Sequence, residues 1–124
     1  MNPVIMARIV VAEKPAHIGC MYLESHGVIG LHRAAMPHLL LIVAGQGGVR
    51  GDTPDMLPVG VGDAIFWDAE EWHETTTDTG LTAIVIESEG LNPADYMPVL
   101  DSGQKTYTPP LSNRPWYDLT QESL

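Results

Sequence analysis

The chain has 124 residues, 44% of them apolar, which is enough for one domain with an ordinary core and excludes wholesale disorder. Six basic against sixteen acidic residues give a formal charge of −10; such a surface repels phosphate backbones and anionic lipid heads, so neither nucleic acid nor a membrane is expected as a partner. Twelve glycines and ten prolines imply many turns and favour short strands over long helices.

The single cysteine, Cys20, allows no internal disulfide and fits a reducing cytoplasm. Its neighbours Met21 and Tyr22 predict a small buried thiol rather than a nucleophile. The opening MNPVIMARIVV lacks the basic, apolar and small-residue regions of a secretory signal. No apolar run approaches the roughly 20 residues that span a bilayer. A soluble, cytoplasmic protein is expected.

In chain order, the β-branched run Ile5–Ala12 predicts a first strand, and Glu13–Gly19 a loop around Pro15. Cys20–Glu24 and Val28–Arg33 predict two further strands joined tightly through Ser25, His26 and Gly27. Pro37 stops any helix begun at Ala34. His38–Ala44 reads as a buried strand, with Gly45, Gly47 and Gly48 turning the chain sharply behind it. Leu57–Val61 predicts an edge strand, because Pro58 cannot donate to a ladder.

Gly62 and Asp63 turn the chain into the strand Ala64–Trp67, and an acidic loop, Asp68–Trp72, follows. Three threonines make His73–Thr77 a strand, and Leu81–Glu87 (LTAIVIE) is another. Short strands at this spacing, with turn residues between them, predict an all-β sandwich or barrel. Beyond Glu89 the prolines exclude long elements, although Asn92 could cap one helical turn over Pro93–Met97. Tyr96, Tyr107, Trp116 and Tyr117 are too many aromatics for a free linker. The division expected is a barrel over residues 1–90 and an extension over 91–124 that packs on the barrel or on a partner subunit.

Four of the five histidines fall between His26 and His73, three of them in two glycine-punctuated apolar segments. The spacing of His32, His38 and Gly45, then Gly62 and His73, resembles the two motifs of the cupin superfamily, the small double-stranded β-helix (jelly-roll) barrels. In the first motif His32 takes the place of the first histidine, Ala34 the second, His38 the glutamate and Gly45 the closing glycine. In the second, Gly62 and His73 match, while Asp68, Glu70 and Thr77 replace the usual Pro, Gly and Asn. The resemblance covers Gly27 to Glu89 and is similar to small bacterial cupins of uncharacterised function.

What the resemblance implies is a barrel pocket with His32, His38 and His73 as metal ligands. Three imidazoles suit a divalent transition ion such as zinc, iron, nickel or manganese. Strand parity places Leu40, Ile42 and Ala44 on the face of His38, and Thr75 and Thr77 on that of His73. Glu70 or Glu71 could serve as an acid or base at the rim, whereas Glu74 would point away.

Two functions stay open: a metal-dependent oxygenase- or isomerase-type enzyme, and a non-catalytic module binding a small molecule without metal. The nucleotide and hydrolase motifs are absent; GQGG (Gly45–Gly48) leads from strand to strand and is a turn. Cupins of this size pair commonly through barrel strands, so a homodimer is expected.

Overall fold

A computed structural model describes residues 7–101 and 106–108. Among these described residues nine strands follow in order: β1 (His17–Leu23), β2 (Val28–Arg33), β3 (His38–Arg50), β4 (Leu57–Gly60), β5 (Ala64–Trp67), β6 (Trp72–Thr76), β7 (Leu81–Glu87), β8 (Val99–Asp101) and β9 (Thr106–Tyr107). All pairings are antiparallel. One path runs β1-β7-β3-β5-β9-β8, and β2, β6 and β4 join through the far half of β3. The architecture is the all-β, double-stranded β-helix barrel expected.

The hinge of the barrel is β3. Its first half, from His38 to Gly45, pairs with β7 and β5; its second half, from Gln46 to Arg50, pairs with β4 and β6. The glycines after Ala44 therefore bend one long strand between two sheets, where the sequence predicts a turn ending it. Gly45 sits at φ +77, and a Cβ there would collide with the carbonyl oxygen of Gly80, so only glycine fits the crossing.

Two apolar layers result. Inside the barrel, Leu40, Ile42, Val49, Val59, Ile65, Trp67, Leu81 and Ala83 form the core. Each fully buried aliphatic side chain contributes about 2 kcal/mol. Outside it, Leu39, Ala64, Phe66 and Met97 form a second cluster, covered by Ile9, Val10, Leu91 and Tyr107.

The expected first strand is not formed. Residues 7–12 are irregular, and Ile9 and Val10 lie over the outer cluster instead of pairing; residues 5 and 6 lie outside the described residues. Strand structure starts at His17, within the segment expected to be a loop. Cys20 is exposed, not buried, because it faces outward on the edge strand β1.

After Glu89, Pro93–Asp95 forms a short 3-10 turn without a side-chain cap from Asn92, whose Nδ2 donates to Asp95 Oδ1 at 2.9 Å instead. The proline-rich segment also contributes β8 and β9, and β9 pairs with β5. Trp116 and Tyr117 lie outside the described residues. No helix among the described residues is long and apolar enough to cross a membrane.

Candidate metal and ligand pocket

Antiparallel register places His32 directly across from His73, and His38 between Trp67 and Glu87. Residues directly opposite share a face, so three strands deliver the three histidines to one end of the barrel, with His73 buried, His38 half-buried and His32 exposed. The ring centroids of His32 and His73 are 4.1 Å apart, and those of His38 and His73 4.9 Å. A cavity of about 320 Å³ opens there, walled by these rings, Trp67, Thr75 and Glu87, with Leu40, Met21 and Val85 below.

Each ring is held from two residues back. His32 Nδ1 donates to the Gly30 carbonyl at 2.8 Å, and His73 Nδ1 to that of Glu71 at 3.3 Å. The His38 ring bonds to the backbone of Met36. A carbonyl only accepts, so Nδ1 of His32 and His73 carries the hydrogen, and the neutral ring keeps its Nε2 lone pair. Backbone partners of this kind fix the tautomer of a metal-binding imidazole.

Burial favours the neutral form of two of the rings, His73 and His38. It lowers His73 to about 4, against a weaker raising effect of the Glu71 carbonyl, and nearby His38 and His32 add to the lowering. Burial lowers His38 too, offset in part by the Met36 backbone and by Glu87.

The donor chemistry therefore fits a divalent transition ion: neutral nitrogens, backed by carbonyls, in an apolar cavity. As placed, however, no three His, Cys, Asp or Glu side chains among the described residues form a set that would hold an ion; the rings pack on one another instead. Histidine χ2 is a soft torsion. The strand positions that bring the rings together therefore weigh more than the ring contacts.

Other expectations resolve by parity. Leu40 and Ile42 share the His38 face, but a register shift after Ile42 turns Ala44 out to solvent. Thr75 lines the cavity, whereas Thr77 closes a turn, its hydroxyl donating to Gln46 O and accepting from Gly80 N–H. Trp67 stacks on His73, with centroids 4.8 Å apart and planes at 17°. Phe66 belongs to the outer cluster, and Trp72 sits outside under Arg33.

The acidic loop is committed to structure. Glu70 pairs with Arg33, Glu71 Oε1 accepts the Asp68 N–H, and Glu74 pairs with Arg50. Ala34 offers no donor; its backbone bonds both ways with the loop, to Glu71 O and from Glu70 N–H. Glu87 is the wall residue that sequence reasoning missed. The signal was its alternation with Leu81, Ala83 and Val85 on β7.

No known family profile matches the chain, and no curated protein matches it. Solved structures do. A cupin superfamily protein of Desulfitobacterium hafniense aligns over 68% of this chain and 76% of its own, at TM-score 0.56 and 12% identity. A Klebsiella pneumoniae protein with a double-stranded β-helix domain aligns over 73% and 81%, at 0.56 and 10%. Bacillus subtilis oxalate decarboxylase, described with Mn(II) centres, aligns over 77% of this chain and 24% of its own, at 0.56 and 15%. The chain has the cupin fold.

Proposed function

We propose that this chain is a metal-binding cupin. His32, His38 and His73 hold a divalent transition ion (zinc, iron, nickel or manganese), and the cavity beside them takes a small-molecule ligand. The observation that carries the reading is the convergence of three imidazoles from three strands at one polar end of an apolar barrel. The Mn(II) centres of the structurally similar Bacillus oxalate decarboxylase support it. A bound ion would supply Lewis-acid polarisation of a ligand oxygen, suited to an oxygenase- or isomerase-type reaction. The apolar wall of Leu40, Met21 and Val85 would exclude water from it.

Metal analysis of protein purified without a histidine tag tests this. Stoichiometric metal that is lost in His32→Ala and His73→Ala variants supports the reading. Protein that stays metal-free after incubation with iron, zinc, nickel and manganese overturns it. It then favours the second reading, a binding module without metal, for which the donor-free Ala34 and the ring-on-ring packing of the histidines speak.

The proposal extends to a cytoplasmic homodimer. Ile18 and Tyr22 stand 70% and 74% exposed on the edge strand β1 and give two copies an apolar surface to share. A monomeric mass in light scattering at micromolar concentration contradicts the dimer.

A further inference from the structure

A dication held by three neutral imidazoles keeps its full charge, and in an apolar cavity that charge is costly without an anion beside it. One acidic residue, Glu87, lies in the wall of this cavity. It stands on β7 directly across from His38, and the alternation of β7 turns it inward with Ala83 and Val85. It is half-buried, close enough to His38 to act on its charge, and among the described residues its carboxylate makes no hydrogen bond or ion pair. The carboxylates of Glu70, Glu74 and Glu71 differ on this point, being engaged by Arg33, Arg50 and the Asp68 N–H.

We propose that Glu87 is the anionic ligand of this site, bound to the same ion as His38 and His73. The assignment rests on the metal reading above. Carboxylate oxygen joins imidazole nitrogen readily around zinc, iron and manganese, and one negative charge halves that of the ion. The carboxylate that His38 displaces from its own strand position is thereby supplied by the neighbouring strand.

Cobalt(II) titration of the untagged, full-length protein, followed by calorimetry and by visible absorption, tests the assignment. Glu87→Gln should weaken cobalt binding at least about tenfold and change the absorption bands, while exposed Glu89→Gln leaves both as in the parent. Glu87→Asp, which keeps the charge on a shorter arm, should fall between parent and Glu87→Gln, and it serves if Glu87→Gln does not fold. Equal affinity and identical bands in parent and Glu87 variants overturn the assignment while leaving the three-histidine site standing. A parent protein that takes up no cobalt overturns the metal reading itself, and this assignment with it.

Discussion

The indole of Trp67 lies almost parallel to the imidazole of His73, 4.8 Å from it, and its buried Nε1 has no hydrogen-bond partner among the described residues. The ring thus props up a site histidine while leaving a donor unsatisfied, which costs about 1–3 kcal/mol. Trp67→Ala should destabilise the protein by about 3 kcal/mol or more, because it empties a core position. Trp67→Phe should cost less, since its ring refills part of the space while both variants remove the orphaned N–H. Urea unfolding of both variants checks the order; equal losses would mean that the aromatic volume at this position adds no stability.

Acid should weaken the fold through the same histidine. An unfolded His73 binds a proton below about 6.5, while the folded one binds it only below about 4. Between these values the unfolded state holds more protons, so stability is present above pH 6.5 and declines as pH falls towards 4. His38, lowered for the same reason, acts in the same direction. The contribution of His73 is at most about 3 kcal/mol. Urea midpoints with chelator present should drop between pH 7 and pH 4.5, and His73→Gln should flatten the drop.

Two ion pairs differ in burial and should differ in worth. Arg50 Nε and Glu74 Oε1 meet at 2.6 Å with side chains 22% and 18% exposed, whereas Arg33 and Glu70 are 52% and 66% exposed. Glu74→Ala strands a half-buried guanidinium and should cost about 2 kcal/mol. Arg33→Ala should cost less than about 1 kcal/mol. A double-mutant cycle on each pair measures the coupling; a larger value for the exposed pair would contradict the burial argument.

Much of this was legible in the sequence. Val28–Arg33, Ala64–Trp67 and Leu81–Glu87 are short apolar runs closed by turn residues, and each is a strand within about a residue of its expected limits. The three histidines picked out by the resemblance do lie side by side, His73 against both His32 and His38. What escaped depends on pairing rather than composition. Residues 7–12 look like a strand, yet they cover the outer cluster. The glycines behind Ala44 look like a stop, yet they bend a strand that continues. Glu87 looks like a solvated strand end until the register sets it against His38.

Because both sheets share β3, neither can peel away while the other stays intact. The molecule should therefore melt in a single transition, with the amides of Leu39–Ile42 and Val49 among the last to exchange. Whatever grips His38 at one end of that strand also braces Arg50 at the other. The thermal midpoint should accordingly rise as a whole on ligand addition, with no part of the barrel left behind.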